Sequence, residues 1–138
     1  MERRKFFTVA GLGAAAAVVG SAATSCSKNS VSTNEAPSNV DFTLDMSNNT
    51  YSGLKTKGAY TYKDNIIIAH TSADEYVALS DICTHQGCTV GFNGVSQFPC
   101  PCHGALYDVN GSVLRGPATR PLKKYTTSLN GNSLRVQS

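Results

Sequence analysis

Cys83-Thr84-His85-Gln86-Gly87-Cys88 and Cys100-Pro101-Cys102-His103-Gly104 are the two stretches that decide the reading of this chain. Together they place four cysteines and two histidines at a spacing that suits an iron–sulfur cluster held by mixed thiolate and imidazole ligands. Each string offers one sulfur and one nitrogen, Cys83 with His85 and Cys100 with His103, so two loops can deliver S and N donors to a common centre. Cys88 and Cys102 are then left over as a pair. The same donors suit structural zinc, which takes two sulfurs and two nitrogens tetrahedrally, but zinc leaves Cys88, Cys102 and both glycines without a role. Four cysteines in an exported chain also suggest two disulfide bridges, a reading that requires neither histidine.

Both strings resemble the cluster-binding motifs of the Rieske family, Cys-Thr-His-x-Gly-Cys and Cys-Pro-Cys-His-Gly, at every fixed position. The resemblance continues through Tyr107 and the turn Gly116-Pro117-Ala118, covering Tyr76 to Leu122 closely and the flanking strands more loosely. It implies one [2Fe-2S] cluster, with Cys83 and Cys100 on an inner iron and His85 and His103 on an outer iron near the surface. It further implies a disulfide between Cys88 and Cys102 and a Tyr107 hydroxyl that reaches a ligand cysteine. Gly104 and Pro117 then lie beside the cluster, with Arg115 to Ala118 as the loop that covers it. Ala105 is a departure, because high-potential members of the family usually carry a serine there that donates to a bridging sulfide. Read without the resemblance, Tyr107 is a half-buried strand tyrosine and Gly116-Pro117 a simple turn. His70, alone after Ile66-Ile67-Ile68, is an ordinary strand-end residue.

The chemistry follows from charge. Replacing two thiolates by two neutral imidazoles removes negative charge from one iron and raises the potential to about −150 to +300 mV, against about −400 mV for all-cysteine plant-type clusters. Such a centre accepts electrons from quinols, and ring nitrogens not needed for coordination can exchange protons as it does so. Without a serine at position 105 the potential is expected in the middle or lower part of that range, closer to menaquinol than to ubiquinol. The expected function is an electron-transfer subunit that passes electrons from a quinol to a cytochrome in a respiratory complex, such as a quinol–cytochrome c reductase. It is not catalytic alone. The alternative is a small ferredoxin-like carrier serving a separate redox enzyme. The Cys88 and Cys102 pair favours the respiratory branch, since oxygenase-type Rieske domains usually lack it.

The N-terminus adds an address. Arg3-Arg4-Lys5-Phe6-Phe7 and the Ala- and Gly-rich stretch to Ser27 read as a secretory signal of twin-arginine type. Ala23-Thr24-Ser25-Cys26 resembles a lipobox, with Cys26 as the lipidated residue and the fifth cysteine explained. The same stretch also suits an uncleaved anchor, because about 20 apolar residues span a bilayer. Either way the domain is expected to be bacterial, extracytoplasmic and tethered to a membrane. Residues 27–39 read as a polar, flexible linker that reaches about 20 Å as a random coil.

Residues 40–138 then form one domain, expected as an all-β, antiparallel sandwich or barrel with a small cluster-binding subdomain. Strand runs stand at Val40 to Leu44, Ala59 to Tyr62, Ile66 to His70 and Tyr76 to Leu79. Asn93-Gly94, Asn110-Gly111 and Asn130-Gly131 are hairpin signals, since type I′ turns need positive φ at both central residues. The formal net charge is +3, and Glu2 to Lys5 carry two of those charges, so the remainder is nearly neutral. No basic patch points to nucleic acid; Arg115, Arg120, Lys123 and Lys124 stand near the expected cluster face, where they read first as a solvated surface and second as a docking aid for an acidic partner.

Overall fold

Ile66-Ile67-Ile68-Ala69-His70 has no polar alternation because both faces of this strand are covered. A computed structural model describes residues 35–138. Among the described residues nine strands form: β1 (Asp41–Asp45), β2 (Tyr60–Lys63), β3 (Ile66–His70), β4 (Tyr76–Ser80), β5 (Phe98–Pro99), β6 (Leu106–Tyr107), β7 (Val113–Arg115), β8 (Lys124–Asn130) and β9 (Ser133–Gln137). One 3-10 turn covers Ser52–Lys55. Six strands in the order β1-β9-β8-β4-β3-β2 make a curled antiparallel sheet, half of a barrel, and β5-β6-β7 make a small second sheet. β8 pairs with β4 only through Ala78↔Tyr125 and Leu79↔Lys124 and from Thr126 onward with β9. The all-β expectation is met.

Side chains alternate faces along a strand, so β3 and β4 feed two cores. Ile66, Ile68 and Ala78 join Leu44, Met46, Tyr125, Leu134 and Val136 inside the curl. Ile67, Ala69, Val77 and Leu79 point the other way, against Val90, Phe98, Tyr107 and Leu122 from the long excursion between β4 and β8. This second core also contains Cys83, Cys100 and Ala105. The site is thus seated on the sheet by apolar packing, not hung from it. His70 belongs to the scaffold: its Nδ1 bonds Leu54 O at 3.0 Å, its Nε2 bonds Asp74 Oδ1 at 2.8 Å, and its ring stacks on Tyr76.

The four expected strand runs coincide with β1 to β4 to within a residue at each end. The turns differ more. Asp64 and Asn65, with φ of 51° and 60°, join β2 to β3 although no glycine marks the site; short polar side chains tolerate this left-handed region. Asn130-Gly131 stands at a hairpin, but Asn130 pairs with Ser133 and the two loop residues are Gly131 and Asn132. Asn93-Gly94 links no strands. Asn93 Oδ1 instead accepts the N–H groups of Val95, Ser96 and Gln97, a side-chain-capped loop that competes with a hairpin turn. Gly111 has φ +81°, and a Cβ there would run into the Leu122 carbonyl oxygen. Gly111→Ala is expected to cost about 3 kcal/mol and to lower the melting temperature by more than about 10 °C, read by circular dichroism.

The expectations for residues 1–34, including the export signal, lipidation of Cys26 and most of the linker, lie outside the described residues. Of the linker's last residues, Pro37 offers its carbonyl to Tyr125 Oη at 2.7 Å and Lys123 Nζ at 3.0 Å. The Tyr125 phenol is pushed up to about 12, chiefly by burial and further by Asp81, so it remains a donor. Among the described residues no helix is long and apolar enough to cross a membrane.

Candidate metal centre

The two sequence strings fold into two loops of one design. In the first, Cys83 N–H donates to Cys88 O and Gly87 N–H to Cys83 O, both at 2.8 Å. In the second, Cys100 N–H donates to Ala105 O at 2.7 Å and Gly104 N–H to Cys100 O at 3.1 Å. Each loop closes first residue to sixth and turns back at a glycine in fifth place, with φ +76° at Gly87 and +80° at Gly104. That region suits glycine and strains most other residues. Gly104 therefore has a backbone role. The second loop is the connection between β5 and β6, and the first follows β4, closed below by the Ile82↔Thr89 bridge.

Loop geometry sorts the four candidate ligands by depth. Cys83 and Cys100 are each 2% exposed in the second core, whereas His85 and His103 are exposed at the tip. The imidazole centroids lie 4.8 Å apart with the rings nearly perpendicular. Cys88 and Cys102 form a disulfide that joins the loops, with their Cα atoms 6.4 Å apart. Cys83 and Cys100 are free thiols. The sulfurs of Cys88, Cys100 and Cys102 lie within 4.8 Å of one another, but the bridge uses two of them, so that trio is not a ligand set. All four expected ligands and the expected bridge thus gather at one end of the domain.

The two buried thiols are shifted in opposite directions. Burial pushes the Cys83 thiol up, but the Tyr107 hydroxyl, the amides of His85 and Gln86 and the Cys100 side chain outweigh it, and the net shift is downward. At Cys100 burial wins and the shift is upward, although the amides of Cys102 and His103 pull against it. Backbone N–H groups from both loops therefore point at the sulfurs. Tyr107 is fully buried, and its Oη lies 3.3 Å from Cys83 Sγ. Burial, followed by the contact with Cys83, pushes its phenol up and keeps it protonated.

Thr84 is a contributor that the sequence reading did not single out. Its Oγ1 donates to Arg120 O at 2.7 Å and lies 3.1 Å from Tyr107 Oη, and its N–H donates to the same phenol. This ties the first loop to the segment 116–121, which is exposed except for Ala118 and carries Pro117 and a cis Gly116-Pro117 peptide. The partners are 36 residues apart, so no local sequence pattern announces the contact. On the other side Arg115 Nε donates to Gly104 O at 2.9 Å.

Comparison with known proteins agrees with this geometry. Residues 39–126 match the sequence profile of the Rieske [2Fe-2S] domain. The chain belongs to the Rieske [2Fe-2S] domain family. It is 40% identical over 84 residues to a cytochrome b6-f complex iron-sulfur subunit of a Synechococcus species, covering 60% of this chain and 45% of that protein. It is 67% identical over 42 residues to a cytochrome b6-f complex iron-sulfur subunit 2 of Trichormus variabilis, covering 30% of this chain and 24% of that protein. The chain thus spans less than half the length of these curated relatives. Among solved structures, the plasma-membrane Rieske protein PetC3 of Synechocystis superimposes with a TM-score of 0.54 at 34% identity, covering 63% of this chain and 93% of that one. A Rieske domain binds one [2Fe-2S] cluster, and the donor set fits it: two buried thiols with amides aimed at them, and two exposed imidazoles above, in loops clasped by a disulfide.

Proposed function

We propose that Cys83 and Cys100 hold the buried iron and His85 and His103 the outer one, in a membrane-tethered carrier that accepts electrons from a quinol and passes them to a cytochrome. The observation that carries this reading is the depth order, with sulfur at 2% exposure beneath two solvent-facing imidazoles. When bound, the cluster accepts and returns one electron at a potential of about −150 to +300 mV. The residues do the rest. Each exposed imidazole would give one ring nitrogen to iron and keep the other to hydrogen-bond a quinol hydroxyl and hold or release a proton. Tyr107 and the loop amides donate to sulfur and favour the more negative state. The Cys88–Cys102 bridge keeps both loops closed, and by the loop-entropy model a bridge of this span stabilises by about 3 kcal/mol. The naming of the curated relatives as subunits of cytochrome b6-f complexes supports a quinol donor and a cytochrome acceptor. The disulfide favours this role over a ferredoxin-like one, and an export route that carries folded proteins would place the loaded domain outside the cytoplasm.

The test is an EPR spectrum and redox titration of the full chain expressed with its cluster and reduced by dithionite. A rhombic Rieske signal with a midpoint above about −150 mV is the expected result. An EPR-silent protein with stoichiometric zinc and no iron would overturn the electron-transfer reading. Ala105, fully buried beneath the second loop, offers no side-chain donor. Ala105→Ser is expected to raise the midpoint by about 40 mV, the equivalent of one net hydrogen bond of about 1 kcal/mol. An unchanged midpoint in a variant that retains its EPR signal would remove Ala105 as the cause of a low potential.

A further inference from the structure

The described cations divide into two groups. Lys57, Lys63 and Arg135 are paired with Asp74, Asp64 and Asp41 at 3.5, 3.6 and 2.7 Å, and Lys55 acts on Asp45. All of these lie outside the cluster loops. Arg115, Arg120, Lys123 and Lys124 are all exposed, and no ion pair with a carboxylate is found for them among the described residues. Their hydrogen bonds go to uncharged oxygens: Arg115 to Gly104 O, Lys123 to Pro37 O and Lys124 to Asn110 Oδ1. Those bonds position the side chains without neutralising them.

Their placement follows the site. Arg115 is fixed on the carbonyl next to His103, and the Arg120 carbonyl holds Thr84, next to His85, so a cation flanks each loop. Between Thr84, Pro121, Arg120 and Lys123 lies a notch of about 340 Å³, with Glu35 at its wall. Three acids stand nearby: Glu35 lines the notch, Asp81 is only 8% exposed, and Asp108 Oδ1 accepts the amides of Asn110 and Ser112. At the tip His85, Pro101, His103 and Pro117 are exposed and carry no acidic group. A small uncharged centre inside a charged rim is the anatomy of a weak, transient interface, in which rim charges set encounter rate and partner choice.

We propose that this end docks an acidic protein: Arg115, Arg120, Lys123 and Lys124 steer a redox partner whose own electron-transfer site is ringed by carboxylates, and the Thr84–Arg120–Lys123 notch seats one of them. This rests on the reading that electrons leave through His85 and His103. A bilayer is the weaker occupant, because Leu114 is the one large apolar side chain strongly exposed among described residues 101–124, too little apolar area to hold a lipid surface.

The test uses the full-length holoprotein in phosphatidylcholine vesicles, with and without phosphatidylglycerol. The reduced centre is oxidised in a stopped-flow instrument by anionic ferricyanide or by the cationic tris(phenanthroline)cobalt(III), at low and high ionic strength. The ferricyanide rate is expected to fall about fivefold or more as salt rises, the cobalt rate to rise, and polyglutamate to inhibit at low salt in both kinds of vesicle. Arg120→Glu with Lys123→Glu should reverse both slopes and abolish the inhibition, and the milder Arg120→Gln with Lys123→Gln should flatten them. Lys63→Glu should leave them unchanged. Identical slopes in wild type and the ring variants would overturn the proposal, as would inhibition lost whenever phosphatidylglycerol is present, which would place the ring on lipid. If the Rieske EPR signal is absent, the functional reading fails; if it is present and the slopes do not move, the docking inference alone fails.

Discussion

Cys100→Ala is expected to yield a chain that keeps its β-sheet and holds no [2Fe-2S] cluster. Cys100 is buried against Phe98, Ala105 and Tyr107 in the second core, so alanine leaves only a small apolar gap there. The two bonds that shape the loop, from Cys100 N–H and to Cys100 O, are made by backbone and survive the change. The inner core of the curled sheet, built on Ile66, Ile68, Tyr125 and Val136, does not involve the loop at all. A structural cysteine at this position would therefore cost about 1–2 kcal/mol and nothing more. A ligand cysteine costs the whole cluster, because a centre with two thiolates and two imidazoles has no spare donor. The Cys88–Cys102 sulfurs cannot substitute while bridged. Iron content, the visible absorption and the EPR signal should all fall to background while far-ultraviolet circular dichroism stays near that of the parent. Retention of iron at about one cluster per chain would remove Cys100 from the ligand set.

What could be read from the sequence was whatever is encoded within a few neighbouring residues. Both loops are of that kind, since ligands, turning glycines and bridging cysteines all fall within six consecutive positions. β1 to β4 were legible for the same reason, as β-branched and aromatic runs. β5 and β6 were not, because a two-residue strand such as Phe98-Pro99 has no periodicity to detect and exists only as the stem of the second loop. The doubled cores left a misleading trace: Ile66 to Ala69 shows no alternation although its side chains divide strictly between two faces. At Asn93 a signal for positive φ competed with side-chain capping, and the cap prevailed. Contacts that bring distant segments together, Thr84 on Arg120 and Tyr125 on Pro37, carry no local pattern of their own. They emerge only when the sheet order brings the β7–β8 connection alongside both the first loop and the start of the domain.

Tyr107→Phe is expected to lower the midpoint of the holoprotein by about 40–65 mV while the cluster remains bound. The phenol has one proton and two acceptors within reach, Cys83 Sγ at 3.3 Å and Thr84 Oγ1 at 3.1 Å. Thr84 has already given its own hydroxyl proton to Arg120 O, so its oxygen competes for the tyrosine proton. A neutral thiol is a weak acceptor, and the competition then favours Thr84. A metal-bound thiolate carries charge and is the stronger acceptor, and the Thr84 N–H donating into the same oxygen polarises the O–H towards it. Each added electron makes the sulfur more negative, so the bond strengthens on reduction. If that difference is worth about 1–1.5 kcal/mol, the one-electron conversion gives the stated shift. Phenylalanine also leaves the Thr84 amide without its partner, which should loosen the first loop and speed cluster loss on heating. The two effects separate: the potential is read by titration at room temperature, the loop by the decay of visible absorption on warming. Thr84→Val removes the competitor and keeps the phenol, so it should leave the midpoint level or higher while still loosening the loop. A midpoint in Tyr107→Phe equal to the parent's would mean that the proton rests on Thr84 in both oxidation states, and that the amides of His85 and Gln86 alone tune Cys83.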